Sequence, residues 1–437
     1  MKKKFDYTWV IIVLCFLCVC TSLGFCSSNR NMYFKGITAV FGDAFTEFEY
    51  SFTMTIRYAT TTFFNIFFGF LVNKFGTKKL MCAGFASLFM FAIINSFATH
   101  LIHFYIASVF LGMGLSWTST TMISAVINNW VTKNKATIMG AVLSANGLGG
   151  ALAAQIISPI IFSGEDYGYR SAYRLVALIL LVLFTLILIF FKDTPKGVER
   201  KVVPLRKNRK VRGEGWVGME FSEVKKKPYF YIAILCMLLT GMTLNGLGEI
   251  TSLHMYDLDI DKAFIANLAT ASSICLMSSK FINGFIYDRI GMKKTMNICY
   301  ACAFIALICV TLIANTTTGK VFASVRIIFA SIALPLETVM LPIFANELFG
   351  NKSFNKVVGM FSAATTAGFA LASPFSQLWK MLFGDYTVSM LVFAIFIIFV
   401  TVSMQFIVMA AHRDRKAILQ SLAEAEEIES PAEAQPQ

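Results

Sequence analysis

The chain has 437 residues, of which 57% are hydrophobic and only 14% are charged, and its formal net charge is +13. This composition is too apolar for a water-soluble domain, because such a domain must cover its core with a polar surface. Stretches of about 20 mainly apolar residues, the length that crosses a bilayer, recur along nearly the whole chain. The composition therefore predicts an all-α membrane protein without a separate soluble domain.

Twelve apolar segments can be drawn, six before and six after a polar loop at 192–228. They cover residues 9–35, 50–72, 79–98, 102–128, 136–162, 172–191, 229–254, 263–287, 294–314, 320–346, 356–382 and 386–410. The first segment is longer than the apolar core of a signal peptide and no small-residue cleavage site follows it, so we predict an uncleaved span. We expect six-helix bundles at 1–191 and 229–411 and an acidic tail at 412–437, a short helix that frays into disorder.

Basic residues lie between the apolar segments on alternate sides of the predicted membrane. The 192–228 loop is the most basic, and the short loops that contain Lys74, Lys133 and Lys293 fall on the same side. Because cytoplasmic loops carry the excess of Lys and Arg, we expect both termini to be cytoplasmic in a multi-pass protein of the plasma or inner membrane. The lipid bilayer then accounts for the positive charge, and we expect no nucleic-acid partner.

One pattern occurs twice, at the same place in each half of the chain. GFLVNKFGTKK at 69–79 and GFIYDRIGMKK at 284–294, called here the first and second repeated loops, share the form G-F-x-x-[N/D]-[K/R]-x-G-x-K-K. The central glycine of each copy, Gly76 or Gly291, permits a tight turn, and the flanking cations anchor the loop at the membrane surface. In the second copy Asp288 can accept hydrogen bonds from a neighbouring helix end.

The repeated loops resemble the signature loop of the major facilitator superfamily, and with the 6+6 layout this resemblance covers nearly the whole chain. It implies two pseudo-symmetric six-helix bundles that rock around a central cavity and expose it to each side in turn. It also implies gating roles for Gly69, Asn73, Lys74, Gly76, Lys78, Gly284, Asp288, Arg289, Gly291 and Lys293. The first copy has Asn73 where the family usually has Asp, so we expect the stronger contact around Asp288, with Glu347 at about the same level.

Within that superfamily, three stretches resemble one branch. Residues 22–42 resemble the first helix of monocarboxylate transporters, which places a basic residue at about the position of Arg30, and 130–150 is similar to the start of the fifth helix shared with oxalate/formate antiporters. Both relatives place a functional Arg in the eighth helix, where this chain has Lys280. The resemblance implies that Lys280 binds substrate, together with Arg30 and the adjacent Asn31.

Two departures from these relatives bear on the charge of the substrate. The antiporters carry a second cation in the eleventh helix, where residues 359–370 offer only Thr365 and Thr366. The Asp that accompanies the Arg of animal monocarboxylate transporters is replaced by Leu276. These departures favour a singly charged anion over a dicarboxylate, and Thr365 is a candidate substrate contact.

Lys280 also stands out on physical grounds alone. It lies eight residues before Asp288, which is about 12 Å inside the helix end and near the middle of a roughly 30 Å hydrocarbon core. A cation at that depth costs about 2.5 to 3.5 kcal/mol on insertion scales, and it usually faces a cavity, pairs with an acid or binds an anion. A purely structural ion pair, or a side chain that reaches the membrane surface, remains the alternative.

Two further charges lie inside apolar segments. Glu337 lies between Pro335 and Pro342, which free backbone carbonyls and favour a kink. A protonatable carboxylate at this depth is a candidate for proton coupling, or it simply neutralises Lys280. Arg57 lies near the other end of its segment, where a structural role at the interface and a substrate role are both open.

We find no phosphate-binding loop, catalytic triad or metal-ligand set, so we expect neither an enzyme nor a cofactor or metal. The sequence therefore predicts a secondary transporter, expected as a monomer, that moves a small organic anion, foremost a monocarboxylate, by proton symport or by exchange for a counter-anion. One alternative is an exporter of amphipathic cations, in which Glu249 and Glu337 bind substrate. Another is a membrane sensor that has lost transport.

Overall fold

The computed structural model describes residues 7–28, 30–41, 47–131, 133–161, 168–193 and 218–429. Nearly all of these residues are helical, and none of them lies in a β-strand, which confirms the predicted all-α fold. Most of the basic linker, 194–217, and the end of the acidic tail, 430–437, lie outside the described residues.

The N half of the molecule contains six crossings of the predicted membrane. Its helices are α1 (Thr8–Val19), α2 (Arg30–Phe41), α3 (Glu47–Phe75), α4 (Thr77–Ser96), α5 (Leu101–Thr118), α6 (Thr120–Trp130), α7 (Lys135–Ile161) and α8 (Gly168–Phe190). The first crossing was expected as one helix at 9–35, but a π-helical stretch at Cys20–Phe25 separates α1 from α2. The fourth is interrupted at Ser119, whose backbone is extended.

The C half repeats this arrangement with six more crossings. After the short α9 (Phe221–Val224) come α10 (Pro228–Asp257), α11 (Lys262–Ile290), α12 (Met292–Thr311), α13 (Thr317–Ala333), α14 (Met340–Phe349), α15 (Phe354–Phe383) and α16 (Thr387–Glu429). A 3₁₀ turn at Leu334–Glu337, which contains Pro335, separates α13 from α14, so the predicted kink is confirmed. Helix α16 continues through the first part of the expected tail as far as Glu429.

Ten helical stretches among the described residues are long and apolar enough to cross a bilayer. The two remaining crossings, α3 and α11, are 29 residues long, about 43 Å at 1.5 Å per residue, and have more polar sequences. Together these helices make the chain a multi-pass membrane protein with two six-helix bundles.

The two halves meet along two helix pairs, α3 with α15 and α7 with α11. All four helices begin or end at the side of the molecule that carries Lys74, Lys133 and Lys293, called here the basic face. Contacts between the halves continue inward as far as the pair Tyr58 and Phe369, whose ring centroids are 5.6 Å apart. The bundle is therefore closed from the basic face to beyond its middle.

The first glycine of each repeated loop explains why the two halves can approach so closely. A Cβ atom on Gly69 would lie 2.4 Å from the Cα of Lys356 on α15, and one on Gly284 would lie 2.2 Å from the carbonyl oxygen of Ala136 on α7. No side chain fits at either contact. The pattern that repeats in the sequence thus marks one close backbone contact between the halves in each copy.

Candidate substrate-binding and gating sites

Lys280 lies on the side of α11 that faces the N half, and only 5% of it is exposed. Its backbone packs on α7, because a Cβ on Gly140 would lie 2.3 Å from the Lys280 carbonyl oxygen. The ammonium group receives no hydrogen-bond partner from the described part of the chain. It is a buried cation without a hydrogen-bonded acid among the described residues.

The carboxylate of Glu337 lies close enough to Lys280 to interact with it electrostatically. Glu337 ends the 3₁₀ turn between α13 and α14, so the proline-induced break in this crossing directs a carboxylate into the interior. Its Oε2 atom is buried and has no hydrogen-bond partner among the described residues. Glu249 on α10 also interacts electrostatically with Glu337, and it is exposed.

The structure therefore brings together one ammonium and two carboxylates from three different helices of the C half. Toward the face opposite the basic face, a Cβ on Gly248 beside Glu249 would meet no atom within 4 Å. This charge cluster is thus buried at Lys280 and exposed at Glu249. All three residues were named from the sequence, Glu249 only in the alternative of a cation exporter.

The other expected substrate contacts are placed less favourably or not described. The buried hydroxyl of Thr365 donates to the carbonyl of Phe361 in its own helix, at 2.9 Å. Its neighbour Thr366 lies 2.9 Å from the hydroxyl of Thr62 and so joins the two halves. Arg30 and Asn31 lie in α2, and their side chains fall outside the described residues.

The second repeated loop contacts the opposite half through Asp288. Its Oδ2 accepts hydrogen bonds from the backbone N–H and the hydroxyl of Thr137, at 2.9 and 2.6 Å. Thr137 lies in the first turn of α7, where backbone N–H groups lack partners within the helix and a negative charge is favourable. A carboxylate of the C half thus caps a helix of the N half.

Within the C half, the second loop also binds the end of α14. The Tyr287 hydroxyl donates to the carboxylate of Glu347, and the Arg289 guanidinium lies 4.2 Å from the centroid of the Phe285 ring. Gly291 has φ of 84°, the left-handed region that favours glycine, and Lys293 is exposed.

The first repeated loop is anchored differently, mostly within its own half. The Oδ1 atom of Asp193 accepts from the Thr77 hydroxyl and the Lys78 backbone N–H, both at 2.6 Å, and so caps α4. The Lys78 ammonium donates to the Leu188 carbonyl at 2.8 Å. Sequence reasoning missed Asp193, because it lies more than a hundred residues along the chain from the loop.

The first loop reaches the opposite half more weakly than the second. Asn73 is exposed, and its Oδ1 accepts one hydrogen bond from the side chain of Asn355 at 3.3 Å. Lys74 lies 5.6 Å from the Phe70 ring centroid. Gly76 has φ of 81°, matching Gly291 in the second loop.

A third group of side chains joins the halves at the basic face. The Asn128 side chain donates to Asn351 at 3.0 Å and accepts from the Lys135 ammonium at 3.1 Å. Deeper in the bundle the Thr121 hydroxyl bonds that of Ser362 at 2.9 Å. These are neutral or singly charged contacts that can be broken without leaving an acid and a base unpaired in lipid.

Two similar six-helix bundles that touch through backbone contacts at one face, with a cluster of charges inside one of them, are the architecture of a membrane transporter. The chain belongs to the Major Facilitator Superfamily, whose family model matches residues 12–334 and 250–433.

The comparisons with individual proteins agree with this membership at low identity. The chain is 24% identical to monocarboxylate transporter 13 of Bos taurus over 332 residues, 75% of this chain and 73% of that protein. It is 22% identical over 257 residues to the sialic acid transporter NanX of Escherichia coli (strain K12), a match that covers 55% of this chain and 56% of that protein. The solved proton:xylose symporter XylE shares the fold with a TM-score of 0.72 at 12% identity, covering 92% of this chain and 97% of that one.

Proposed function

We propose that this protein is a secondary active transporter of a small singly charged organic anion, foremost a monocarboxylate. The observation that carries the proposal is Lys280, which is 95% buried at mid-membrane depth without a hydrogen-bonded acid among the described residues. A buried cation of this kind gains most from a carboxylate ligand, which supplies both the missing charge and the missing acceptor. The names of two relatives, a monocarboxylate and a sialic acid transporter, support the same substrate class.

Glu337 supplies a way to couple anion binding to a proton. When Glu337 is ionised, its charge is attracted to Lys280 and repels an incoming carboxylate. When Glu337 takes up a proton, Lys280 is left as an uncompensated cation and binds the anion, so the occupied site carries one added proton and one added negative charge. This neutral change favours proton symport, because the loaded site crosses the low-dielectric interior without adding net charge.

The basic face is proposed to be the cytoplasmic side, because it carries the excess of Lys and Arg in the short loops. Both termini would then be cytoplasmic, and the described conformation would be closed toward the cytoplasm. Transport requires the contacts of Asp288, Asn73 and Asn128 to open, which gives the two repeated loops their proposed role as gates.

The proposal is tested by uptake of radiolabelled lactate into liposomes containing the purified protein. Lys280→Ala should lower uptake at least about tenfold, the loss expected when a charge-assisted hydrogen bond to the substrate is removed. Lys133→Ala, which removes an exposed cation from a loop at the basic face, is the matched control and should leave uptake unchanged. Normal uptake by a folded Lys280→Ala protein would refute the anion-site assignment.

The coupling is tested separately with Glu337→Gln. Lactate exchange between equal concentrations should persist, whereas uptake driven by an imposed pH gradient should be lost, since the amide cannot release a proton. Retention of proton-driven uptake in this variant would remove Glu337 from the coupling mechanism and leave the role of Lys280 untouched.

Export of amphipathic cations is the second candidate, favoured by the two carboxylates of Glu249 and Glu337 beside open space. Under this alternative, lipophilic cations such as tetraphenylphosphonium would be transported and Glu249→Gln would abolish the flux. Saturable lactate transport that tetraphenylphosphonium does not inhibit would exclude it.

A further inference from the structure

A cavity with one charged and several polar side chains in its lining lies within the N half, away from the charge cluster at Lys280. It is enclosed by side chains of α2, α3, α4, α5 and α8 and by the turn before α2, and its volume is about 40 Å³. By the same measure of volume, a cavity needs about 10 to 15 Å³ to hold one water. The space therefore suits an occupant of one to three heavy atoms.

Arg57 is the charged residue among the described side chains that line this cavity. Its guanidinium has several N–H donors, and the described residues offer them one weak acceptor, the sulfur of Met54 at 3.6 Å. One face of the group also lies 4.9 Å from the centroid of the Tyr58 ring. No carboxylate is present among the described lining residues, so the charge of Arg57 is not neutralised within the cavity.

Tyr33 supplies a second unused donor to the same cavity. Its ring is stacked on Tyr173 with centroids 4.2 Å apart, and only 4% of the residue is exposed. Its hydroxyl is fully buried and has no hydrogen-bond partner in the described part of the chain. A buried hydroxyl is rarely left unpaired, because its desolvation is not recovered.

Three further polar side chains at the cavity use their donors within their own helices. Thr53, Asn95 and Ser108 each donate to a backbone carbonyl of their own helix, at 2.6, 2.8 and 2.7 Å. The cavity thus presents a cation and an unpaired O–H group.

We propose that this cavity is a binding site for a small inorganic anion of halide size, held by the Arg57 guanidinium and the Tyr33 hydroxyl. The anion neutralises the half-buried Arg57 cation and accepts hydrogen bonds from its guanidinium and from the Tyr33 hydroxyl. It is a resident ion and not the transported substrate, since the site lies entirely within one half. Because Arg57 precedes Tyr58, which contacts Phe369 of the C half, occupancy also fixes the part of α3 that touches the other bundle.

The test is the thermal unfolding midpoint of the purified full-length protein while chloride replaces gluconate at constant ionic strength. The unaltered protein should show a saturable rise in midpoint with chloride, because a ligand that binds the folded state stabilises it in proportion to its occupancy. Bromide should replace chloride, and gluconate is too large to enter. Absence of a saturable halide effect would overturn the proposal.

Two variants locate the effect. Arg57→Gln should abolish the halide dependence, and Tyr33→Phe, which keeps the stacked ring, should raise the half-saturating chloride concentration about tenfold through loss of one hydrogen bond to a charged group. An unchanged titration in Tyr33→Phe would overturn the proposal even if Arg57→Gln fails to fold.

Lys280→Gln is the control that separates this site from the proposed substrate site, and it should retain the full halide effect. Loss of the effect in Lys280→Gln with retention in Arg57→Gln would mean that halide binds at the charge cluster. That result would refute the second site and leave the proposed transport function standing.

Discussion

The two repeated loops have nearly the same sequence pattern and the same glycine turn, yet they are anchored to different partners. The second loop binds the opposite half through Asp288, a half-buried carboxylate with two hydrogen bonds to the start of α7. The first loop is tied to its own half through Asp193, and its hydrogen bond to the opposite half is a 3.3 Å contact of the exposed Asn73. The closure of the basic face is therefore asymmetric.

The difference shows the effect of an acid at the fifth position of the pattern, where the second loop has Asp288 and the first has Asn73. A carboxylate can accept two hydrogen bonds at once, and the positive end of a helix stabilises its negative charge. A neutral amide is stabilised little by the helix end. With Asp288, the second loop becomes a contact that must break when the halves separate. With Asn73, the first loop is fixed mainly to its own bundle.

The largest effect is expected from the close backbone contacts that both loops share. Gly284→Ala places a Cβ about 2.2 Å from a backbone oxygen, so the closed basic face should be destabilised by about 1 to 3 kcal/mol, the usual range for overpacking. Distances between spin labels on α7 and α11 at the basic face, measured by double electron–electron resonance, should shift toward the open population.

Gly69→Ala tests the same contact in the first loop and should open α3 from α15 to a similar extent. If both alanine variants keep the distance distribution of the unaltered protein, backbone contact at the glycines does not control closure. Ala136→Gly serves as the control for Gly284→Ala. It lies opposite Gly284 and removes a side chain instead of adding one, so it should not open the bundle.

A smaller effect is expected from exchanging the acid and the amide between the loops. Asp288→Asn keeps an acceptor for Thr137 but loses the charge. The ratio of closed to open protein should therefore fall roughly fivefold, which corresponds to about 1 kcal/mol. Asn73→Asp should act in the opposite direction by facing the first turn of α15 with a carboxylate. The same spin-label distances, recorded on both pairs of helices, measure both changes.

The conclusion that the two loops contribute unequally to closure would be wrong if Asn73→Ala opened the bundle as much as Asp288→Ala. Thr137→Val sharpens the comparison further, because it removes the 2.6 Å hydroxyl contact and leaves the 2.9 Å backbone hydrogen bond in place. Its effect should lie between those of Asp288→Asn and the unaltered protein.

The smallest effect is expected at the exposed ion pair beside the first loop, Lys352 with Glu220 at 2.6 Å. Hydrogen bonding and charge attraction from Lys352 lower the pKa of Glu220 below its ordinary value. The contribution of the pair is therefore present above the ordinary glutamate pKa and is lost as the pH falls through the lowered value. It should also weaken with salt, as exposed pairs do.

We expect Glu220→Gln to change the thermal unfolding midpoint only slightly at neutral pH and to remove the small acid-induced loss seen in the unaltered protein. Any opening should be confined to α3 and α15. Met219, next to Glu220, donates its N–H to the Phe349 carbonyl, and Phe349 lies just before the start of α15, which the first loop contacts. An effect of this variant on the spacing of α7 and α11 would contradict the independence of the two loops.

Much of the fold could be predicted because membrane insertion imposes a strong one-dimensional signal. Apolar segments of spanning length, the basic loops between them and the duplicated pattern gave the all-α, two-bundle architecture of the superfamily. The kink at Pro335 also followed from local chemistry, since proline cannot donate the hydrogen bond that a continuous helix needs. The breaks at Cys20–Phe25 and Ser119 carried no comparable signal.

The sequence by itself determined the crossings, their breaks at proline and the residues whose charge cannot rest in lipid, because each of these depends on neighbours along the chain. Only the tertiary structure decided which charges meet. Lys280, Glu337 and Glu249 come from three helices, Asp193 caps a helix more than a hundred residues before it, and Arg57 shares a cavity with Tyr33 across a loop. Such contacts depend on how helices pack side by side, which spacing along one helix does not encode.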